Sequence, residues 1–191
     1  MSDIIMDLSK TNASIADSEI LYEISKGKKI IIQLGTALGF GAMVLASHGG
    51  KVYTIDNYKI LESKFGSILL NKTESNSISN VISQYLDLFG GISLIYGDTA
   101  ESSIKFEDNS VDLLYIDADH TYNGVKRDYY SWINKVKYGG IILFHDYSSY
   151  FPDIPKFIDI EIKQEEEKGI LKKILFNNSV TESVIKGFSK L

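Results

Sequence analysis

Short apolar runs alternate with segments of helical periodicity along this chain. Five of the runs have the length of buried strands, and each ends at a glycine or a polar residue. These predicted strands cover residues 29–34, 51–55, 92–96, 111–116 and 140–144. Because strands that alternate with helices are typical of α/β domains, the pattern predicts an α/β fold with a mostly parallel sheet.

Helices are predicted between these strands. They lie at 38–47, 59–70 and 77–89, with a polar loop rich in Ser, Asn and Thr over 71–80. One face of a further helix, before the fifth strand, is formed by apolar residues at helical spacing: Val125, Tyr129, Trp132, Ile133 and Val136. The glycine pair that follows predicts the end of this helix.

The two ends of the chain complete the predicted fold. Residues 15–25 predict a helix near the mouth of the sheet, and residues 157–168 predict another. The segments 172–176 and 183–188 predict a terminal pair of antiparallel strands. The pattern as a whole predicts a doubly wound, seven-stranded, mostly parallel sheet with a C-terminal antiparallel pair and helices on both faces.

Composition narrows the class of protein. The chain has 191 residues, of which 44% are hydrophobic and 24% charged, which excludes a disordered or fibrous protein. A formal net charge of −5 argues against a nucleic-acid partner, since such proteins usually carry a basic face. The chain has no cysteine, so a disulfide framework, a thiolate metal site and a cysteine nucleophile are excluded. Any catalytic group or metal ligand must come from oxygen or imidazole.

The chain carries no recognisable targeting or membrane signal. The start contains Asp3 and Asp7 rather than a basic and then apolar signal peptide, and the apolar runs are too short to span a bilayer. We therefore expect a cytoplasmic protein without a membrane partner, with a single domain over 1–191. Residues 1–28 would form an N-terminal helical cap. The sequence leaves self-association into a homo-oligomer open.

Polar residues and glycines follow the predicted strands. Gly35, Asp56, Asp98, Asp117 and Asp146 all come after a strand. In an open parallel sheet these carboxyl ends share one edge, which is where ligands bind. The sequence therefore directs the search for function to this edge. The candidate lid loops at its mouth are 71–80 and 148–155.

A glycine-containing loop follows the first strand. Its glycines allow a sharp turn and the close approach of a ligand. Asp56 lies 21 residues after Gly35, where a carboxylate can accept hydrogen bonds from both hydroxyls of a ribose. The alternative is that Gly35 and Gly39 serve close packing and that Asp56 only caps a helix. The G-x-G pair at Gly39 and Gly41 falls late in the turn, which disfavours a dinucleotide-dependent dehydrogenase.

Acidic and imidazole side chains follow the fourth and fifth strands. If these strands are neighbours, Asp117 and Asp146 face each other, and they would repel unless one is protonated or a cation lies between them. Mg²⁺ suits such oxygen ligands, and a nitrogen ligand from His145 would also suit Mn²⁺ or Fe²⁺. His120 is a candidate general base, because imidazole titrates near neutrality. The alternative for His120 is a hydrogen bond within its loop or a helix cap.

For several residues near this cluster, the sequence suggests a structural role or leaves a structural and a functional role open. We expect Asp119 to cap the helix that starts near Tyr122, and we expect Lys126, Arg127 and Asp128 to form a solvated helix face. Asp98 is a candidate either for a helix cap or for a cofactor contact. Aromatic residues near the strand ends are candidates for an acceptor pocket or for plain packing: Tyr58, Phe65, Tyr147, Tyr150 and Phe151.

Residues 29–147 resemble a bacterial family of small O-methyltransferases that depend on S-adenosylmethionine (SAM). The resemblance rests on the glycine loop and on the runs I-D-A-D-H-T-Y-N-G-V-K-R-D and G-G-I-I-L-F-H-D-Y. It implies the Rossmann-like fold of class I methyltransferases, and it extends distantly to metal-dependent catechol-type and macrolide-sugar O-methyltransferases. Gln33 stands where the family commonly has an acidic residue.

The resemblance also implies roles for residues. It implies SAM as the cofactor, bound by residues within the first strand or after the first four strands: Gln33, Gly35, Thr36, Gly39, Asp56, Asn57, Asp98, Thr99 and Asp117. It implies that the positions of Asp117, His145 and Asp146 hold Mg²⁺ or another divalent cation. The catalytic residues would be Asp117 and His120, the base lying three residues after the first aspartate.

We therefore expect O-methylation of a hydroxyl group on a small-molecule acceptor, assisted by Mg²⁺ on Asp117 and Asp146, with His120 as general base. Two alternatives remain. The same cofactor fold could carry out hydroxylation or other non-methyl chemistry with a redox metal. The chain could also be a catalytically idle, nucleoside-binding subunit.

Overall fold

The computed structural model of the protein describes residues 14–59, 83–84, 86–176 and 183–191. Its centre is one seven-stranded sheet with the strand order β3-β2-β1-β4-β5-β7-β6. The strands are β1 (Ile30–Leu34), β2 (Lys51–Asp56), β3 (Ile92–Tyr96), β4 (Val111–Ile116), β5 (Val136–Phe144), β6 (Leu171–Ile174) and β7 (Lys186–Lys190). The predicted seven-stranded α/β fold is confirmed.

The strand directions place the carboxyl ends of five strands at one edge. Strands β1 to β5 pair in parallel, whereas β7 is antiparallel to both β5 and β6. The chain order reverses between β1 and β4, so their ends form the topological switch point of the sheet. Leu34 pairs with Ile116, and Ile116 with Phe144, so the residues after β1, β4 and β5 emerge level with one another.

Helices cover both faces of the sheet. They are α1 (Ile15–Ile24), α2 (Phe40–Ala46), α3 (Tyr122–Trp132), α4 (Asp153–Phe157) and α5 (Lys163–Glu167), with a π-helical segment (Ile158–Ile162) between the last two. Alternate residues of the central strands enter two separate hydrophobic clusters, as the two-residue period of a strand requires. One cluster includes residues of α3 and α4, and the other includes residues of α1 and α2.

The boundary between α3 and β5 differs from the prediction. Helix α3 ends at Trp132, and Val136 already belongs to β5, where it pairs with Val111. The glycine pair lies inside the strand instead of ending the helix, and Gly139 has φ +74° beside a register shift between Val111 and Leu113. Val136 fits both the apolar helix face and the start of a buried strand, so periodicity alone assigned it to the wrong element.

Other predictions differ less or lie outside the described residues. The tail helix begins at Asp153, earlier than predicted, and the antiparallel strand pair is present. The lid loop 71–80 lies outside the described residues, as do most of the predicted helices 59–70 and 77–89. The single-domain organisation of the whole chain stays a prediction. Among the described residues, no helix is both long enough and apolar enough to span a membrane.

Candidate functional site

Four polar side chains meet where β4 and β5 end. Asp117 and His145 directly follow these strands and continue the ladder, since Asp117 N donates to Leu34 O at 2.9 Å and His145 N donates to Ile116 O at 3.0 Å. Asp146 comes next, and His120 reaches the same place from the loop after β4. The parallel register thus brings together the residues that the sequence singled out.

The four side chains are within direct contact distance. His120 Nε2 lies 2.7 Å from Asp146 Oδ2 and 4.0 Å from Asp117 Oδ1. His145 Nδ1 lies 3.2 Å from both of these carboxylate oxygens. This buried nitrogen is not aligned for a hydrogen bond with either oxygen. The ring of His145 therefore sits between two carboxylates with its Nδ1 unsatisfied.

The backbone at Asp146 is strained. Its φ of +58° lies in the left-handed region, which non-glycine residues rarely adopt. Such a conformation costs on the order of 1–3 kcal/mol, and residues of this kind cluster at functional sites. The turn directs the carboxylate of Asp146 towards His120 and His145.

The cluster shifts the pKa values of its members. Burial lowers the pKa of both histidines, but their close contacts with the carboxylates and the negative charge of these groups outweigh it and raise the pKa of His120 and, much more strongly, that of His145. Burial raises the pKa of Asp146, but its contacts with His120 and His145 outweigh this and hold it far below the usual range. Before any ligand binds, Asp146 is a carboxylate at neutral pH and imidazolium forms are favoured.

A fifth member of the cluster, Asp17, comes from α1. This side chain is only 3% exposed, and its Oδ2 lies 3.5 Å from His145 Nε2. Burial raises the pKa of Asp17, but interactions with His145, Ser14 and Ser183 outweigh it and lower the pKa. Sequence reasoning missed Asp17. The available signal was Ser14 three residues before it, a spacing that marks a helix N-terminus and not a site.

The donor set fits a divalent cation. Asp117, His120 and Asp146 each offer a ligand atom, and these atoms all lie within 4.8 Å of one another. Two carboxylates with retained waters suit Mg²⁺, and an imidazole ligand extends the range to Mn²⁺ or Fe²⁺. The geometric group contains His120, whereas the resemblance assigned His145, whose Nδ1 is nevertheless 3.2 Å from both carboxylates.

One aromatic side chain from the predicted second lid covers this cluster. The ring of Phe151 stacks on His120 with 4.2 Å between centroids and an interplanar angle of 23°. Tyr150 beside it is 89% exposed. Tyr58, in contrast, is fully buried in the core, and Tyr147 donates a hydrogen bond to Asp159. Phe65 lies outside the described residues.

The glycine loop packs directly against the cluster. Gly35 has φ +87°, and a Cβ there would lie 1.9 Å from the carbonyl oxygen of Asp117. At Gly39 (φ +86°), a Cβ would lie 2.7 Å from the side chain of Leu86. Packing against the backbone therefore requires glycine at position 35, whereas at position 39 the positive φ favours glycine and the side chain of Leu86 could move aside. Both glycines also lie just after β1, at the edge of the sheet where ligands bind in this kind of fold.

Asp56 holds the loop from the neighbouring strand. Its Oδ2 accepts hydrogen bonds from Thr36 N at 2.8 Å and Ala37 N at 3.1 Å, and its Oδ1 accepts from Tyr58 N at 2.7 Å. A carboxylate has about four acceptor positions, so Asp56 retains capacity for about one further donor, such as a hydroxyl group. Asn57, the next residue, is half-buried and accepts from Lys59 N at 3.1 Å.

Gln33 is an internal brace of the loop. It is only 2% exposed, and its Nε2 donates to Gly35 O at 2.9 Å. A Cβ at Gly41 would lie 2.8 Å from this nitrogen, so the amide occupies the space beneath α2. Its Oε1 is buried and has no partner among the described residues. The loop thus has a buried, unpartnered acceptor beside it.

The segment after β3 is held by α3. Asp98 accepts from Glu101 N at 2.9 Å and pairs with Arg127 at 2.8 Å. Thr99 Oγ1 donates to Asp128 Oδ1 at 2.6 Å. The hydrogen bond to Arg127 keeps the pKa of Asp98 below its usual range. Asp98 and Thr99, which the resemblance assigned to the cofactor, are thus both held by side chains of α3.

Two structural expectations were wrong. Asp128 is 2% exposed and belongs to the buried face of α3, so 126–128 is not a uniformly solvated face. Asp119 does not cap α3. The N-cap is Thr121, whose Oγ1 accepts from Gly124 N at 3.1 Å, while Asp119 accepts from Thr121 N.

Comparison with known proteins identifies a family. A family profile described as a methyltransferase domain matches residues 32–147. An uncharacterized protein, y4gI, of Sinorhizobium fredii (strain NBRC 101917 / NGR234) is 50% identical over 46 residues, which is 24% of this chain. The match covers only 5% of the length of that curated relative.

Several solved structures share the fold. The cofactor-bound protein Rv0187 from MTB gives a TM-score of 0.66 at 15% identity, covering 95% of this chain and 82% of that one. The O-methyltransferase TomG from Streptomyces achromogenes, in complex with SAM, gives 0.66 at 10% identity, covering 93% and 81%. An rRNA methylase from Streptococcus thermophilus gives 0.60 at 13% identity, covering 94% and 99%. At these identities the similarity establishes the fold alone.

Proposed function

The chain belongs to the methyltransferase domain family, and from this premise we propose that it is a class I SAM-dependent methyltransferase that acts on a hydroxyl group of a small molecule. The observation that carries the proposal is the contact between two parts of the site. The glycine loop braced by Asp56 touches the backbone of Asp117, which is itself a member of the Asp/His cluster. A nucleoside-type loop and a group of acid–base residues therefore share one edge.

The residues around the loop would hold the cofactor. Asp56 would accept from a ribose hydroxyl, Asp98 and Thr99 would lie on the adenine side, and Gln33 would offer its unpartnered Oε1. The other proposed contacts are with loop and strand-end residues: Gly35, Thr36, Gly39, Asn57 and Asp117. SAM, when bound, supplies an activated methyl group, so the protein needs only to orient the acceptor and remove its proton.

The cluster would prepare the acceptor. Asp117 and Asp146 would hold a divalent cation, which lowers the pKa of a nearby hydroxyl group, with His145 as a further candidate ligand. A cation on Asp117 and Asp146 would offset the carboxylate charges that favour the imidazolium, and His120 in its neutral form would then receive the hydroxyl proton at Nε2, the atom that now lies 2.7 Å from Asp146. This nitrogen cannot be a base and a metal ligand at once, and we assign it as the base.

Isothermal titration calorimetry tests the cofactor. We expect SAM and S-adenosylhomocysteine (SAH) to bind saturably with and without Mg²⁺, and NAD(H) not to bind. Binding of NAD(H) but of neither SAM compound would overturn the proposal. If SAM binds but no hydroxylated compound in a panel of phenols and sugars forms SAH, the catalytically idle subunit is favoured.

His120→Ala tests the assigned base. We expect this variant to keep its affinity for SAH and for Mg²⁺ and to lose turnover of any acceptor found in the panel. A loss of Mg²⁺ affinity would instead make His120 a ligand. Unchanged turnover would remove it from the reaction.

A second candidate function is non-methyl chemistry with a redox metal. The observation that favours it is that two imidazoles lie beside the carboxylates, a donor set that suits Fe²⁺ as well as Mg²⁺. A marked preference for Fe²⁺ over Mg²⁺ in the same titrations would support this candidate.

A further inference from the structure

A buried carboxylate from the N-terminal helix extends the cluster away from the open edge. Asp17 lies in the first turn of α1 and is only 2% exposed. Aspartate is rarely buried this deeply unless it is paired or fully hydrogen-bonded. Its partners should therefore show why the chain places a charge at this position.

The partners of Asp17 come from three distant parts of the chain. Its Oδ1 accepts hydrogen bonds from Ser183 Oγ at 2.7 Å and from Val184 N at 3.2 Å. Its Oδ2 accepts from Ser14 Oγ at 2.6 Å and lies 3.5 Å from His145 Nε2. Three neutral donors thus hold the carboxylate in place, and its one ionisable partner among the described residues is the imidazole of His145.

The imidazole of His145 lies between carboxylates on both sides. Nε2 is next to Asp17, while Nδ1 is 3.2 Å from Asp117 and from Asp146. A carboxylate in contact with one ring nitrogen fixes the orientation of the ring, and so determines where the other nitrogen points. The buried Nδ1 has no aligned partner among the described residues, so its orientation is imposed from elsewhere.

We propose that Asp17 is a positioning residue, whose contact with Nε2 holds the ring of His145 so that Nδ1 is directed towards Asp117 and Asp146. In this arrangement α1 supplies Asp17, the segment before β7 holds it in place, and Asp17 in turn orients His145. The functional meaning of the arrangement rests on the proposed function, because Asp117 and Asp146 are the carboxylates assigned to the cation. The orientation of His145 itself does not depend on it.

A simpler role for Asp17 is to stabilise the start of α1. Ser14 is the N-cap, and its side chain also accepts from Asp17 N at 3.0 Å, so the pair ties the first helical turn. That role needs Ser14 and not His145. The two roles can therefore be separated by a variant that removes the cap and leaves the carboxylate.

The experiment compares Asp17→Asn with Ser14→Ala as the matched control. Asp17→Asn keeps the shape of the side chain but removes the charged acceptor beside Nε2. Ser14→Ala removes one hydrogen bond to the same oxygen and retains the carboxylate. Imidazole ¹H–¹⁵N spectra of the cation-free protein, assigned with His48→Gln, His120→Gln and His145→Gln, report the proton on each ring nitrogen and how fast it exchanges.

We expect the Nε2 proton of His145 to be protected from exchange in the wild type and in Ser14→Ala. In Asp17→Asn we expect at least tenfold faster exchange of this proton and a changed chemical shift of the Nε2 signal. Unchanged His145 signals in Asp17→Asn, or an equal change in Ser14→Ala, would overturn the proposal. If Asp17→Asn does not fold, Asp17→Glu moves the carboxylate by one methylene group, and unchanged His145 signals there would have the same meaning.

A second measurement uses Mn²⁺ as the probe. We expect Asp17→Asn to lower the affinity for Mn²⁺ about tenfold, as changes of outer partners of metal ligands do, with less than a twofold change in Ser14→Ala. Equal affinities in the two variants would argue against the positioning role. If the wild type itself fails to bind Mn²⁺, the cation of the proposed function is lost, while the imidazole spectra still decide the role of Asp17.

Discussion

Asp128 illustrates how a polar residue on a helix can belong to the core. It follows Lys126 and Arg127 in the sequence, and the polar run suggested a solvated face. Its spacing indicated otherwise, since Val125, Asp128, Tyr129 and Trp132 follow the i, i+3, i+4, i+7 pattern of a buried stripe, and all four are buried. The side chain packs where α3 meets the segment after β3, and its Oδ2 has no partner among the described residues.

Asp128 should make the stability of the protein depend on pH. Burial raises the pKa of Asp128 to about 6, with Asp98 adding to the shift and the hydrogen bond from Thr99 opposing it. The folded state therefore binds a proton more tightly than the unfolded chain. The stabilising contribution of Asp128 to the free energy of unfolding is fully present below about pH 4 and is lost as the pH rises through about 6. At pH 7 the loss amounts to roughly 3 kcal/mol.

Asp128→Asn should remove this loss. The amide oxygen can still accept from Thr99, and no charge is buried at neutral pH. We expect a gain of about 1–3 kcal/mol in the free energy of unfolding at pH 7 and almost none at pH 4, measured by urea denaturation. The exposed Asp87→Asn changes the charge equally and serves as control. A gain that does not vary with pH would contradict the explanation.

At the scale of elements, the strands were predictable and their irregularities were not. Runs of aliphatic residues that end at a polar position mark buried parallel strands, so β1 to β4 were predicted almost to the residue. The side chains after them meet because the ends of parallel strands meet, which is why Asp117 and Asp146 could be expected together. The start of β5 was missed because its register shift depends on pairing with β4.

The contacts that support the site come from elements distant in the chain. Asp17 reaches His145 from α1, and Arg127 reaches Asp98 from α3. Nothing in the local spacing of these residues specifies such a contact. It is set by how the helices pack across the strand ends, and that information exists only once the sheet has formed.

The junction between β1, α2 and β4 offers a prediction at this scale. Gly35 and Gly49 both have positive φ, at +87° and +78°, but a Cβ at Gly49 meets nothing within 4 Å. Gly49→Ala therefore measures the cost of the backbone conformation, about 1–2 kcal/mol. Gly35→Ala must also push the backbone of Asp117 away, which should add roughly 1–3 kcal/mol, as overpacking does.

Urea denaturation and calorimetric titration with SAH test this comparison. We expect Gly35→Ala to lose more stability than Gly49→Ala and to lose SAH binding, while Gly49→Ala retains it. Equal losses in both variants would mean that the loop can move away from β4, and that the close approach of the two elements is not required for the site.

For the whole molecule, the two hydrophobic clusters fix the sheet between helix layers and leave its carboxyl edge to polar residues. Most of the described polar residues of the candidate site lie at that edge or contact a residue that does. Stability and chemistry are thus separated in space, as in other open α/β sheets. The N-terminal helix is an exception, because α1 contributes both Leu21 to a cluster and Asp17 to the site.

The charge of the whole molecule bears on the class of acceptor, since an rRNA methylase shares the fold. The net charge is −5, and several basic side chains of the described surface are paired with carboxylates: Lys126 with Glu161, Arg127 with Asp98, Lys135 with Asp108 and Lys137 with Asp112. Nucleic-acid binding gains its affinity from unpaired Lys and Arg that replace counterions on phosphates.

We therefore predict that the protein does not bind RNA. Fluorescence anisotropy with a labelled single strand and a labelled hairpin should show no saturable binding at 50 mM salt, whereas SAH binding in the same buffer should be retained. Because phosphate contacts weaken steeply with salt, low salt is the most permissive condition for detecting them. Saturable micromolar binding that persists at 150 mM salt would contradict the prediction and would direct the search for an acceptor from small hydroxylated molecules to RNA.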